Sequence, residues 1–250
     1  MAAFDDPRMH WTNLPANSGS QATPNNEGIR RARGRYIAYL SHDDLWLPWH
    51  LESLLQCIQE QEADLAHALL AMIGRKGADG VGGAAWGPAM YENAIAPPSS
   101  WLHRRDIVET CGGWADPLSI SLPIDREFMR RIYRSGKRIV AQPRLSVLKF
   151  RAASWKMYTL RGDYPQEGYL QAIETDARTL HERLLLDLVL ALARRHYRPT
   201  PAATAFRQAF ARLIDTMVDR YGRYWPLSPL IHRRFQRRRR RNLRARGLPR

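Results

Sequence analysis

The sequence predicts an α/β fold with a mostly parallel sheet and flanking helices, followed by a helical extension and a disordered basic tail. Short apolar runs of strand type alternate with segments of helical period as far as residue 150. Residues 151–232 change to a pattern of two helices, 167–197 and 201–221. Residues 233–250 hold ten arginines and no acidic residue, with too little apolar surface to offset the entropy of ordering. We therefore predict three regions with boundaries at 150/151 and 232/233.

The first predicted elements surround one apolar strand. The segment NNEGIRRARG predicts a short helix, with Asn25 or Asn26 as its cap. RYIAYL follows as a strand, and its mostly apolar composition is typical of a central parallel strand. SHDD then forms an acidic loop, and a helix-period segment begins near Pro48. The order is strand, acidic loop, helix.

The segments after the second predicted helix contain three further strands and two further helices. ADLAHALLAMI predicts a strand, and a glycine-rich reversal and a loop lead from it to PPSS. SWLHRRDIVETCGGW predicts a strand that runs into a short helix, and IDREFMRRIYRSG predicts a helix with Asp125 at its start. KRIVAQPRLSVLKF predicts a strand broken at Pro143.

Composition limits the class of protein. The chain has 250 residues and a net charge of +15, of which the tail supplies ten charges, so the body is only mildly basic. Cys57 and Cys111 are far apart, which excludes a disulfide framework and fits a reducing cytosol. The N-terminus lacks the pattern of a signal peptide. The longest apolar stretch, 184–193, is interrupted by Asp187 and too short to span a bilayer, so we expect a cytoplasmic protein.

Asp43 and Asp44 are adjacent carboxylates just after the first predicted strand. The carboxyl ends of parallel strands open into the crevice where α/β sheets bind ligands. Two neighbouring carboxylates repel unless a divalent cation or another positive charge neutralises them. The alternative is that Asp44 caps the next helix while Asp43 is solvated.

Two longer segments carry a resemblance to a known family. NNEGIRRARGRYIAYLSHDDLWLPWHLESL resembles the stretch of family-2 glycosyltransferases of GT-A fold in which an Asn-x-Gly helix leads into a strand bearing the D-x-D motif. GGWADPLSISLPIDREFMRRIYRSGKRI is similar to that family's acceptor-side segment, where a Gly-Gly-aromatic turn precedes a Glu-Asp motif. The resemblance covers about residues 6–150.

The resemblance implies a role for each matching residue. Asp43, which matches the second Asp of D-x-D, would hold Mn²⁺ or Mg²⁺ on the donor's phosphates. Asp125, at the Glu-Asp position, would be the base that deprotonates the acceptor hydroxyl in an inverting displacement; the alternative is a helix N-cap. The nucleotide sugar would be contacted by Asn26, Gly28, Ser41, Asp44 and Arg131. For Asn26, Gly28 and Arg131 a helix cap, a helix glycine and a solvated arginine remain alternatives.

The chain departs from the family pattern in three places. Ser41 stands where the first Asp of D-x-D belongs, and Asn25 replaces an Arg that often precedes Asn-x-Gly. The match also begins near the end of the family's strand-helix-strand unit that holds the nucleotide base, so the first half of the nucleotide site is expected to be missing. A start codon assigned too far downstream, a truncated product or a degenerate relative would each explain this.

Two hypotheses about function follow. The resemblance implies a metal-dependent, inverting transfer of one sugar from a nucleotide-diphosphate sugar to a glycan or lipid-linked acceptor, in bacterial cell-envelope polysaccharide synthesis. The alternative is an inactive remnant that binds anionic membrane or nucleic acid through residues 233–250. Such a tail neutralises phosphates without reading sequence, so no specific nucleic acid is expected, and attachment to the inner membrane surface is the predicted use of the tail.

Overall fold

The computed structural model describes residues 6–84, 87–92, 96–151, 155, 162, 164–196, 233, 236, 237 and 240. These residues form a mixed sheet flanked by helices, which confirms the predicted α/β class. In the described part of the chain, no helix has both the length and the apolar content needed to cross a membrane.

Six strands form one sheet. They are β1 (Tyr36–Ala38), β2 (Asp44–Trp46), β3 (Leu65–Gly74), β4 (Gly77–Gly82), β5 (Trp101–Arg104) and β6 (Ile139–Phe150). Their order is β1-β5-β3-β6-β2, and β4 pairs with β3 outside this path.

Among the described residues, five continuous α-helices pack around the sheet. They are α1 (Ala22–Arg31), α2 (His50–Glu60), α3 (Asp106–Cys111), α4 (Ile124–Arg134) and α5 (Pro165–His196). Two short 3₁₀ helices, Pro88–Glu92 and Pro98–Ser100, precede β5. α5 has a kink at Asp176, whose carboxylate accepts hydrogen bonds from the backbone N–H groups of Arg178 and Thr179 and so caps the second half of the helix.

The prediction of a mostly parallel sheet is wrong. Only β3 and β6 pair in parallel, whereas the other four described pairs are antiparallel. β1 is also not central, because it lies at the end of the strand path with β5 as its described partner. Burial explains the error: β3 is buried along most of its length, so it is apolar except for His67 even though two of its three neighbours are antiparallel.

Several local predictions also need correction. The glycine-rich reversal contains β4, which forms a hairpin with β3 around Arg75 and Lys76. The first helix begins at Ala22, so neither Asn25 nor Asn26 caps it. The strand predicted to break at Pro143 continues as β6, and its pairing with β3 shifts register there.

The tail and the extension are described only in part. The predicted helix at 167–197 is confirmed by α5, while the one at 201–221 lies outside the described residues. Of residues 233–250, the four described ones are helical, and the Gln236 amide donates hydrogen bonds to the backbone carbonyls of Leu118 and Ile120. At these positions the prediction of a disordered tail is wrong.

The core fills the space on both faces of the sheet. Phe128 and Ile132 of α4 pack with Trp101 and Leu65 on one side. In a second cluster, Leu54 and Ile58 of α2 pack against alanines of β3. In a third cluster, α5 packs on the carboxyl-terminal parts of β3 and β6. This third cluster includes Leu180, Leu184 and Leu188 with Ala71, Ile73, Leu148 and Phe150. α5 therefore shares a core with the sheet across the predicted boundary at residue 150.

Candidate active site

Asp44 is the centre of a buried polar network. It is the first residue of β2 and pairs in register with Lys149 of β6, so the two side chains lie on the same face of the sheet. Lys149 Nζ lies 2.9 Å from Asp44 Oδ2, the Ser99 hydroxyl donates to the same oxygen at 2.6 Å, and the Phe150 N–H donates to Oδ1 at 3.3 Å. We call Asp44, Ser99 and Lys149 the acid–lysine network.

Burial raises the pKa of the Asp44 carboxyl above its ordinary value. The positive charge of Lys149 and the Ser99 hydroxyl act in the opposite direction and favour the carboxylate. The helix-cap alternative for Asp44 is wrong, because α2 begins six residues later, at His50, with Trp49 at its N-cap. Asp44 is instead a buried ion-pair partner.

Asp43 lies beside this network in the aspartate loop, which we define as residues 41–44. Its carboxylate is buried and accepts a hydrogen bond from the Ser41 hydroxyl, while its backbone carbonyl accepts one from the Gln166 amide of α5 at 3.2 Å. The Ser41 N–H donates to Ser99 Oγ at 3.2 Å. The alternative of a solvated Asp43 is therefore wrong, and Ser99 connects the aspartate loop to the acid–lysine network.

Asp125 lies in the first turn of α4, where its carboxylate accepts the Arg126 N–H at 3.0 Å. It is not the N-cap, because that position is held by Pro123. Burial raises the pKa of the Asp125 carboxyl, against the backbone N–H bonds and the positive charges of Arg126 and Lys149. Lys149 therefore acts electrostatically on both Asp44 and Asp125, and a raised pKa is suited to a general base near neutral pH.

Two other predicted site residues hold the turn at residues 112–114, which we call the glycine turn. The Asn26 amide makes a reciprocal pair of hydrogen bonds with the backbone of Trp114, at 2.9 and 2.8 Å. Arg131 uses all five of its N–H donors on the backbone carbonyls of Cys111, Gly112 and Gly113 and on the Glu127 carboxylate. Both side chains therefore stabilise the turn, and their contact with a nucleotide sugar stays a prediction.

Gly28 lies elsewhere, on an exposed part of α1. It lines a cleft of about 380 Å³ between α1 and β1, together with Asn25 and Tyr36. No atom outside its immediate neighbours would lie within 4 Å of a Cβ at this position, so packing alone does not require a glycine here. The described contacts do not join Gly28 to the aspartate loop, and its predicted role stays a prediction.

Trp114 is part of the core. Its indole is buried, stacks on Trp101 with ring centroids 5.7 Å apart, and donates from Nε1 to the Tyr39 hydroxyl at 3.2 Å. Trp114, the aromatic residue after the two glycines, therefore fills the core.

Sequence reasoning missed Ser99 and Lys149. Lys149 is the one charged residue in the apolar run LSVLKF, and a charge inside a buried strand requires a partner. That signal was available, although the identity of the partner follows only from the register of β2 on β6. Ser99 lies in the short 3₁₀ helix Pro98–Ser100, where nothing in the sequence distinguishes it from Ser100.

Within the described residues, no group of three or more His, Cys, Asp or Glu side chains is placed to hold a metal ion. The site offers the Asp43 carboxylate with the Ser41 hydroxyl beside it. Protein sites for Mg²⁺ commonly use one or two carboxylates and take the remaining ligands from water and substrate phosphates. The residues present are therefore compatible with a cation that arrives with a diphosphate.

Comparison with known proteins finds a similarity to one family in the first part of the chain. Residues 2–108 match the model of glycosyl transferase family 2. TuaG of Bacillus subtilis (strain 168), which bears the name of a teichuronic acid biosynthesis glycosyltransferase, is 33% identical over 72 residues, or 29% of this chain and 28% of TuaG. The chain thus spans less than a third of that curated relative.

Crystal structures of S. aureus TarS are also similar to this chain. The match to TarS 1–349 in complex with UDP-GlcNAc has a TM-score of 0.47 and 15% identity, and covers 61% of this chain and 43% of that one. The match to TarS 1–349 without that ligand has a TM-score of 0.47 and 14% identity, over 90% and 69% of the two chains. The part of the chain that matches the model of glycosyl transferase family 2, residues 2–108, includes the aspartate loop and Ser99.

Proposed function

We propose that the chain transfers one sugar from a nucleotide-diphosphate sugar to an acceptor hydroxyl. The observation that carries this proposal is the buried aspartate loop inside the region that matches the family-2 model, next to the Asp44–Lys149 ion pair. A nucleotide-sugar donor is also supported by TarS, whose crystal structures include complexes with UDP-GlcNAc and UDP. The family match favours a transferase over the alternative of an inactive binding module.

The proposed donor side is the aspartate loop. Asp43 would hold Mn²⁺ or Mg²⁺, with the Ser41 hydroxyl and the donor phosphates nearby, and Asp44 would keep the loop in place through β2. A bound divalent cation would stabilise the negative charge that develops on the leaving diphosphate. Ser41 in place of a carboxylate leaves fewer protein ligands, so we expect cation binding to depend strongly on the nucleotide.

The proposed acceptor side is the start of α4. Asp125 would accept the proton of the acceptor hydroxyl as that oxygen attacks the anomeric carbon, and its raised pKa makes it a stronger base than an exposed aspartate. A single displacement of this kind inverts the anomeric configuration. By similarity to TuaG, we propose a glycan or lipid-linked acceptor of cell-envelope polysaccharide synthesis.

We further propose that the protein works at the cytoplasmic face of the inner membrane. The support is the group of ten arginines in residues 233–250, since each basic residue near an anionic leaflet contributes about 1 kcal/mol of attraction. Attachment there would bring the site to lipid-linked acceptors.

The test uses the full chain, a panel of nucleotide sugars and Mn²⁺. Calorimetry with UDP should show binding that is lost in EDTA and in Asp43→Ala. Asp125→Asn should keep nucleotide binding while transfer falls by about a hundredfold or more, as expected for loss of a general base. Asp106→Asn is the matched control, because Asp106 also lies in the first turn of a helix but is exposed. Transfer by Asp125→Asn within a few-fold of wild type would return Asp125 to a structural role.

A further inference from the structure

Lys149 is the cation of the proposed site, and its position is fixed by the sheet. The register of β2 on β6 places Lys149 opposite Asp44, and Nζ lies 2.9 Å from Asp44 Oδ2. The Asp44 side chain is fully buried, whereas the Lys149 side chain keeps 25% of its surface exposed. The pair therefore lies at the edge of the site, with the carboxylate inside and the ammonium partly exposed.

The charges around this pair are unevenly distributed. Asp43 and Asp44 are adjacent and both buried, so their carboxylates repel unless a positive charge is close. Lys149 supplies that charge to Asp44, together with the Ser99 hydroxyl and the Phe150 N–H. Asp43, in contrast, has the neutral Ser41 hydroxyl as its described side-chain partner. The two neighbouring acids therefore have different partners.

A divalent cation would meet these two acids differently. Both oxygens of Asp44 already accept hydrogen bonds, and one of them is in the ion pair. A metal at Asp44 would have to displace Lys149 or lie within a few Å of its positive charge, which opposes binding. Asp43 has no cation in its described bonds, so it is the carboxylate that remains for a metal ligand.

From these contacts, and building on the proposed function, we propose that Lys149 is a positioning residue that holds Asp44 as its counter-ion and reserves Asp43 as the metal ligand. The arrangement keeps the aspartate loop folded before any metal arrives, because Ser99 connects the loop to the Asp44–Lys149 pair. It also weakens the binding of a divalent cation that comes without phosphates. Through Lys149, binding of the divalent cation thereby depends on the phosphates of the nucleotide-sugar donor.

The experiment measures Mn²⁺ binding to the full chain by electron paramagnetic resonance, with no nucleotide and then with UDP. Lys149→Met removes the charge at similar side-chain length, and Lys149→Arg is the matched control that retains it. We expect Lys149→Met to bind Mn²⁺ alone about tenfold more tightly than wild type or better, because a like charge is gone and Asp44 is released. Lys149→Arg should stay within about twofold of wild type on the same electrostatic grounds. The melting temperature of Lys149→Met should be lower than that of wild type and should rise on addition of Mn²⁺.

A second pair of variants covers the case in which Lys149→Met does not fold. In the Lys149-containing protein, Asp44→Asn should weaken Mn²⁺ binding in the presence of UDP by less than about tenfold, because the Lys149 charge is then uncompensated, whereas Asp43→Asn should abolish it. Equal losses from the two substitutions would overturn the proposal. So would a folded Lys149→Met that binds Mn²⁺ alone no better than wild type. Absence of Mn²⁺ binding to wild type with UDP present would instead refute the metal part of the proposed function. The melting temperature of Lys149→Met relative to wild type and Lys149→Arg would still test whether Lys149 stabilises Asp44.

Discussion

Acid should destabilise this protein through three buried histidines, His50, His67 and His103, because burial lowers the pKa of each to about 4. His103 shows the cause most clearly. Its Nδ1 donates to the Arg104 carbonyl at 2.7 Å, and its Nε2 accepts a hydrogen bond from the Tyr39 hydroxyl at 2.9 Å. Tyr39 accepts in turn from Trp114 Nε1, so the chain of hydrogen bonds is complete with a neutral imidazole.

The direction in which the free energy of unfolding changes with pH follows from proton binding. The unfolded chain takes up a proton at each histidine near pH 6.5, whereas the folded chain does so only near pH 4, so the free energy of unfolding falls as the pH decreases between these values. At pH 5 each histidine then costs about 2 kcal/mol relative to pH 7.5, or about 6 kcal/mol for the three together. A loss of that size is comparable with the total stability of a typical domain, about 5–15 kcal/mol.

Urea unfolding of wild type and His103→Gln at pH 7.5, 6 and 5 tests this reasoning. The glutamine retains an acceptor for Tyr39 but does not titrate. We expect His103→Gln to be less stable at pH 7.5 by about 1–3 kcal/mol, because part of the hydrogen-bond chain is lost. The difference in free energy of unfolding between the two proteins should narrow by about 2 kcal/mol at pH 5, because only wild type loses stability there by keeping His103 neutral. Because the comparison is between two proteins, the buried carboxyls Asp44 and Asp125, whose raised pKa acts in the opposite direction, cancel. A stability difference that is the same at all three pH values would refute the conclusion that burial lowers the pKa of His103.

Two further predictions concern the glycine turn and the tail. Gly113→Ala should lower the free energy of unfolding by about 1–3 kcal/mol, because the added Cβ would lie 2.6 Å from Asn26 Oδ1. Urea unfolding measures this change. A urea midpoint equal to that of wild type would show that the glycine turn is not tightly packed. Replacing the ten arginines of residues 233–250 by glutamine should release the protein from anionic liposomes at low salt without changing transfer to a soluble acceptor. This variant keeps Gln236 and its two hydrogen bonds, which a deletion would remove, and liposome binding equal to wild type would exclude the tail as the anchor.

The sequence predicted which elements exist better than how they pair. Helical period and cap chemistry identified α4, which begins at Ile124 as expected, and the apolar run identified β3. Strand direction could not be predicted in the same way, because an apolar run records burial on both faces and not the orientation of its neighbours. The short strands β2 and β4 were read as a loop and a reversal, since three residues of DLW and the glycines of β4 carry little strand signal.

Some residues of the candidate site could be predicted from the sequence, whereas their partners could not. Adjacent acids after a strand were sufficient to locate Asp43 and Asp44, and the structure buries both. The partners of Asp44 could not be predicted, because they come from β6 and from the 3₁₀ helix before β5, more than 50 residues away, whereas Asp43 is bonded by the nearby Ser41 hydroxyl. Asn26 and Arg131 show the opposite case, in which residues selected for ligand contact bind the backbone of one turn. A side chain that recognises a backbone turn has the same chemistry as one that recognises a polar ligand.

Pro143 illustrates how a local signal determines the geometry of a distant site. Proline lacks the N–H that a ladder requires, and at this point the pairing of β6 with β3 shifts from Gln142–Ala68 to Leu145–Leu69, with a further shift one residue later. Side chains alternate between the two faces of a strand, so a slip of one residue turns the following side chains to the opposite face. The two shifts displace the pairing by three residues in total, two between Gln142 and Leu145 and one between Leu145 and Val147, so Met72 pairs with Lys149 where the first register would have placed Ser146. Because three is odd, the side chains that this part of β6 points to each face are the opposite of those that an unshifted strand would present. Lys149 lies in this shifted part of the strand, opposite Asp44 of β2.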